Sequence, residues 1–534
     1  MAISKFRNVF GELLKDSIWT GIKASSTAWD GRLSCVNSKW LAFVMTSIGA
    51  GAVCVLPADR PEKVGTNPST IRGHSRDILD IAFDPFDEDV IATAGDDGAV
   101  KIWRIPEGGI PDSFYAEDAF ATFHHERKAG CVVWHPTAKN IIATAGQDGI
   151  RVWNIDDGSQ ISHYNTPEQV NSITFNLDGS KLAASCKDKH LYVINPRSGE
   201  LISSVQAHEG AKGFKAVWCT NFNIIITCGF GRPVGREIKL WNVESLTEPL
   251  HVHSLDQASS LFLPAYDPDT CMLYMTGKGE GIIRYFEVLS SAPYLKPLSE
   301  FVSNVPARGM CVLPKGYLDL EKNEVMRIFK LTERSVEPVS FKVPRRAAGM
   351  DKDIFPATFA GKASLTAEEW VSGKDSGPVL AELDEQGLTQ QTVEAEEPPV
   401  VEQPKEEPKV ETEPVVEAKN PAIFDETDSE EEVETKEPEV EAEEPVTESK
   451  QPEVEAEEPE VEAEEPEVQP EPEVSVEVHS DNRVNTPPNE NTFSEKDVQP
   501  LIEEAIAPLK EELTALKAIV QEQKLAIAEL REQL

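Results

Sequence analysis

The sequence predicts an all-β, seven-bladed β-propeller over its first two thirds, then a disordered acidic linker, then a C-terminal α-helical coiled coil. Three observations lead there. A β-rich run closing on an aromatic or aliphatic residue recurs as "AVCVLP", "AVKIWR", "GIRVWN", "HLYVIN", "EIKLWN", "IIRYFE" and "VMRIFK". Anchored on Leu56, Trp103, Trp153, Ile194, Trp241, Phe286 and Phe329, it steps by 47, 50, 41, 47, 45 and 43 residues, the period of a propeller blade. Behind it lies a tract with a proline at every seventh residue, and behind that a second seven-residue rhythm built on apolar side chains.

The charge is distributed to match. Of the net −42 over 534 residues, Glu394 to His479 holds 34 acids and 5 bases, a net −29. Residues 1–393 carry 48 acids and 40 bases, an ordinary globular balance. That balance, with no basic patch, excludes a general nucleic-acid binder. Eight cysteines (35, 54, 131, 186, 219, 228, 271 and 311) stand far apart with no C-x-x-C pair, which points to reduced thiols in a cytosolic core. The opening "MAISKFRNVFGELLK" is charged early and does not read as a signal peptide. "LAFVMTSIGAGAVCVL" is too short and glycine-rich for a membrane span and reads as two buried strands around a turn.

The best-preserved unit, "GHSRDILDIAFDPFDEDVIATAGDDGAVKIW", supplies His74, Thr93, Asp97 and Trp103 at the offsets of the WD-repeat tetrad. In that tetrad a turn carboxylate orients a histidine, which bonds a hydroxyl, which reaches the indole N–H; a buried Trp or His needs such partners. "DPFDED" and "GDDGA" are hairpin turns by composition. The other units read as degraded: Asp148 and Asp188 keep the turn acid, but "GQDGIRVW" is one residue shorter, and "GFGRPVGRE" is inserted before Trp241. "FHHE" (Phe123–Glu126) and His208 in "AHEG" read as structural histidines of their units in preference to metal ligands. "SKFRNVFG" stands outside every unit and is expected to be a strand completing the last blade beside "MRIFKL" and "EPVSFKVP", so that residues 1–346 close as a ring. No P-loop, G-x-S-x-G or H-E-x-x-H occurs. No catalytic residue, cofactor or metal site is therefore assigned.

The two seven-residue rhythms are different objects. Prolines at 438, 445, 452, 459 and 466 would each cost a helix about 3 kcal/mol, so residues 394–495 are expected to be extended and disordered. Ser429, followed by three glutamates, suits an acidophilic kinase. In residues 496–534 a seam steps 4, 3, 4, 3: Ile506, Leu513, Val520, Ile527 and Leu534 at a, with Ile502, Leu509, Leu516, Gln523 and Leu530 at d. Branched a and Leu d favour two strands, with three still open, so self-association through Leu509, Leu513, Leu516, Val520, Ile527, Leu530 and Leu534 is expected.

"SKFRNVFG", "GHSRDILDIAFDPF", "GKGEGIIRYFEV", "RIFKLTERSVEPVSFKVPRR" and "AEEWVSGKDSGPVL" resemble the coronins, actin-binding WD-repeat proteins, and the order of regions resembles a short coronin of fungal type. The resemblance implies that residues 347–393 pack back along the propeller underside. It implies binding to filamentous actin, bundling or cross-linking of filaments, action on branched networks through the Arp2/3 complex, and a place in the cytoplasm at cortical actin. The family has a basic residue linked to filament contact in an I-R-V-S-like pattern; here "GIKASSTAWD" puts Lys23 there. Arg232 and Arg236 in the inserted loop are further candidates. The competing reading is a WD-repeat adaptor whose acidic tail binds basic client proteins.

Overall fold

The computed structural model describes residues 4–27, 31–46, 51–110, 112–232, 235–346 and 349–394, with backbone alone for 390–394. The expected acidic linker beyond Glu394, Ser429, and the expected coiled coil with Leu509, Leu513, Leu516, Val520, Ile527, Leu530 and Leu534 lie outside the described residues.

Within those bounds the chain is all-β apart from short 3-10 turns and one five-residue α-helix, Ala367–Val371. Seven antiparallel sheets follow one another along the chain. The second shows the plan: Ile78–Phe83, Val90–Gly95, Ala99–Arg104 and Ala121–His124 pair in sequence order from the innermost strand outward. Its first three strands are buried almost throughout, because neighbouring sheets cover both faces; such strands read as continuous apolar runs. Outermost strands such as Leu201–Gln206 alternate exposed with partly covered residues, as a half-solvated surface requires. The turn "GDDGA" depends on Gly98 at φ +78°, where a Cβ would come within 2.6 Å of the Arg127 carbonyl oxygen. "LAFVMTSIGAGAVCVL" forms the strands Trp40–Met45 and Ala52–Pro57, paired antiparallel.

The innermost strands Ser34–Val36, Ile78–Phe83, Ala129–Trp134, Val170–Phe175, Lys215–Cys219, Phe262–Asp267 and Gly309–Val312 each touch the next, and the last touches the first. The N-terminus closes this ring. Phe10–Leu13 pairs with Ser335–Lys342, Phe10 opposite Lys342, and Trp19–Thr20 continues along the same strand opposite Val336 and Ser335. The paired segment thus begins at the end of "SKFRNVFG" and lies beside "EPVSFKVP" alone, with Glu324–Leu331 one strand further in. Apolar packing fixes it there. Trp19 is 1 % exposed, and its ring centroid lies 5.7 Å from that of Phe329. The Tyr285 hydroxyl donates to the Val9 carbonyl at 3.0 Å, and the Tyr285 and Phe341 rings meet edge-on at 5.3 Å.

Six repeat anchors fall on the third strand of their sheets, but Phe329 falls on the second strand of the seventh. The seventh repeat of the pattern therefore ends one strand early; the equivalent third strand is Ser335–Lys342, interrupted in pattern by Pro338. Beyond it, Thr358–Phe359, Val379–Asp384 and Gly387–Glu394 form a separate three-stranded sheet. Thr366 caps the short helix with a reciprocal Thr366/Glu369 box. The helix seats Trp370, fully buried, edge-on to His135 at 4.7 Å and 4.6 Å from the Arg197 guanidinium. Burial pushes the His135 imidazole down to about 3, so it packs there as a neutral ring.

Replacing Trp19 with Ala leaves a cavity at the closure and should cost about 3–5 kcal/mol, read as a lower urea midpoint. Phe10→Ala, whose ring is half exposed, should change it by well under half of that.

Candidate functional site

Three sheets carry a complete polar tetrad. In the first, the His74 Nδ1–H donates to Asp97 at 3.0 Å, the Thr93 hydroxyl bonds His74 Nε2 at 2.7 Å, and the Trp103 indole N–H donates to Thr93 at 2.9 Å. Burial would raise the Asp97 carboxyl, but the His74 bond and the Ser75 and Ala99 amides outweigh it and hold it at about 2. The next sheet repeats the arrangement with Asp148, His125, Thr144 and Trp153 at 2.6, 2.8 and 2.8 Å. This unit is complete, against the expectation of degradation. Its hairpin pairs Gly146 with Gly149 and is shorter, yet Asp148 still reaches His125. His125 of "FHHE" is thus a tetrad histidine. The third tetrad joins His208, Thr227 and Trp241, with Glu237 taking the carboxylate's part at 2.9 Å. Glu237 lies on the third strand opposite Gly229, and its longer side chain reaches His208 from there. Among the described residues no group of three or more His, Cys, Asp or Glu could hold a metal.

The two ends of the ring differ in charge. Among the described residues, the links between sheets, with the hairpins joining second to third strands, contain thirteen Lys/Arg against ten Asp/Glu from residue 21 to 334. The loops at the opposite end, from residue 37 to 323, contain eight against nineteen. The first end is the one suited to an acidic partner.

Lys23 lies on that cationic end and is exposed. Its backbone is held firmly: the Lys23 carbonyl accepts from Thr46 N at 3.0 Å, Ala24 bridges to Met45, and Ala24 N donates to the Glu333 carbonyl at 3.1 Å. Ile22 and Ala24 on either side are buried, so the ammonium projects from a rigid ledge at the ring closure. Arg232 is exposed on the same end, in the hairpin of the fifth sheet, with two sheets between it and Lys23. Arg236 is not a surface base. It is 1 % exposed, bonds Asp256 at 2.6 Å through both Nε and Nη2, pairs with Glu280, and stacks 4.0 Å from the Phe262 ring centroid. Arg236 sits at the start of a strand facing the next sheet, and its partners are 20 and 44 residues away, beyond any local pattern. Sequence reasoning also missed Arg32, whose guanidinium holds Asp80 bidentately at 3.0 and 2.9 Å; no spacing rule links the two.

Family models match this chain in four places: a domain of unknown function (DUF1899) at 1–63, a WD domain, G-beta repeat at 65–104, an anaphase-promoting complex subunit 4 WD40 domain at 137–228, and a type of WD40 repeat at 336–378. The WD40 domain of Toxoplasma gondii coronin superposes with a TM-score of 0.67 at 27% identity, covering 71% of this chain and 98% of that one. The chain is similar to coronin-like protein crn1 of Schizosaccharomyces pombe, 36% identical over 455 residues, 82% of this chain and 74% of that protein. It is likewise similar to human coronin-2A, 36% identical over 392 residues, 71% of this chain and 74% of that protein. The chain belongs to the coronin family.

Coronin membership accounts for the tetrads, which are shared WD-repeat architecture, and indicates no catalytic family. The segment 1–63, matched apart from the WD models, contains both the closing strands and Lys23, so one stretch of a coronin both shuts the ring and presents its candidate contact. The polar ties are open to direct test. Thr93→Val keeps the shape but leaves His74 Nε2 and the Trp103 indole N–H buried without partners. It should destabilise by about 2–3 kcal/mol in chemical denaturation, whereas Ser204→Ala, exposed on the outer strand Leu201–Gln206, should stay within about 0.5 kcal/mol.

Proposed function

We propose that this coronin-family chain is a non-enzymatic actin-filament-binding protein, that its seven sheets are the blades of one propeller, and that the cationic end carrying Lys23 is the filament-facing surface. The observation that carries this reading is the placement of Lys23 on a rigid ledge beside the ring closure. Because its backbone is already ordered, only the side chain's own rotamer freedom is lost when the ammonium meets a carboxylate. Lys in place of Arg keeps the charge and gives up the two-pronged fork, so each propeller is a modest binder. Arg232 remains a secondary contact. Residues 496–534 would then join two or three copies, raising avidity and allowing bundling. The acidic linker would set their reach and offer a site to the Arp2/3 complex, at cortical actin in the cytoplasm.

Lys23→Glu should lower filament co-sedimentation about tenfold while leaving the melting temperature unchanged. Undiminished co-sedimentation of that folded variant would remove Lys23 from the contact. Deleting residues 498–534 should abolish bundling, seen by low-speed sedimentation, and weaken co-sedimentation. Salt-sensitive capture of basic proteins with no filament binding would favour the adaptor reading instead.

A further inference from the structure

The first strands of the seven sheets enclose a central cavity of about 430 Å³, and its walls are unlike one another. One side is apolar, with Leu263, Ala265, Met310 and Val312. The other gathers nitrogen donors near the beginnings of the strands, at the ring end that carries Lys23: Arg32, Asn171 and Lys215. Each has hydrogen-bonding capacity left over. Arg32 gives Nε and Nη2 to Asp80 and also Nη2 to the Val132 carbonyl, and its Nη1 has no partner among the described residues. Lys215 Nζ makes one bond, to the Asn171 carbonyl at 2.5 Å, of the three an ammonium can make. Asn171 Nδ2 is buried with no hydrogen-bond partner.

Buried N–H groups are nearly always paired, so an unpaired one lining a cavity marks a place for an acceptor. Gly213 packs against the same amide, and a Cβ there would lie 2.8 Å from Asn171 Nδ2. The charge agrees. Arg32 and Lys215 against Asp80 leave the wall at +1. The thiols between them do not neutralise it: burial pushes Cys131 up to about 12 despite Lys215 and Arg32, and raises Cys35 well above its ordinary value.

We propose that the mouth of the central cavity is an oxyanion site, in which Lys215 Nζ, Asn171 Nδ2 and Arg32 Nη1 together hold one carboxylate or phosphate group, with the apolar wall left for whatever carries it. This inference does not depend on the filament reading, because it concerns the channel lining and not Lys23.

The test uses the full chain, titrated at neutral pH and constant ionic strength with inorganic phosphate in one arm and acetate in the other, followed by calorimetry and thermal shift. Saturable binding is expected in at least one arm. Phosphate alone would mark a phosphate monoester as the natural occupant; acetate would mark a carboxylate. Lys215→Met should abolish the saturable response and Asn171→Leu should weaken it on the order of tenfold, while Lys187→Met, exposed at the same end, should leave it intact. If Lys215→Met fails to fold, Asn171→Leu decides alone. A response that never saturates, or one that is the same in wild type and both cavity variants, would overturn the proposal.

Discussion

A ring of sheets is stable only when its ends meet, and here they meet where Phe10 lies opposite Lys342. Drawing together points some 330 residues apart costs roughly 5 kcal/mol of chain entropy, by the logarithmic dependence on loop length. Four short backbone pairings would not offset that alone. What does is the apolar cluster into which the N-terminus inserts: Phe6, Val9 and Trp19 pack with Phe43, Ile283, Phe329 and Phe341, and a buried large apolar side chain contributes about 1.5–3 kcal/mol. Every later feature leans on this. The cavity needs all seven inner strands, and Lys23 stands on the closing segment itself.

The polar tetrads have a narrower job. They occur in three of seven sheets, and the remaining sheets are held by apolar contact between faces with varied polar ties. In the fourth sheet, for example, the Tyr192 hydroxyl donates to Asp188 at 2.5 Å, and the histidine beside it, His190, comes from the same strand and bonds the Asp188 carbonyl at 3.2 Å. Glu237 in place of an aspartate shows the same tolerance. The tetrad is best understood as a lock on the outer turns, pinning one inter-sheet link to the hairpin beside it. The shape of the ring comes from the β-branched and aromatic faces.

Most of this architecture was legible because it is periodic or local. Six repeat anchors land on equivalent strands since each ends a buried run bounded by turn residues, and His74, Thr93, Asp97 and Trp103 lie within one unit. The failures share a cause. The seventh anchor slipped by one strand because Pro338 interrupts the apolar run of the third strand, leaving Glu324–Leu331 as the cleaner match. The Asp148 unit looked incomplete because counting residues says nothing of how a two-residue hairpin redirects its acid. Arg236 looked like a loop base because Asp256 and Glu280 come from other strands, and the Arg32–Asp80 pair spans 48 residues. Patterns within a unit are visible in sequence; partners contributed by the next unit are not.

The closure also has a consequence for synthesis. The strand that completes the last sheet leaves the ribosome before its partner, which ends at Lys342 and follows some 330 residues later. At about 5–20 residues per second, Phe6, Val9 and Trp19 wait roughly 20–70 s before their pocket exists. For that interval a nascent chain carries an unpaired apolar strand, beside sheets already able to form. Its safest companion is a chaperone, and its most dangerous is the open seventh sheet of a neighbouring chain on the same message, which that strand could complete as well as its own.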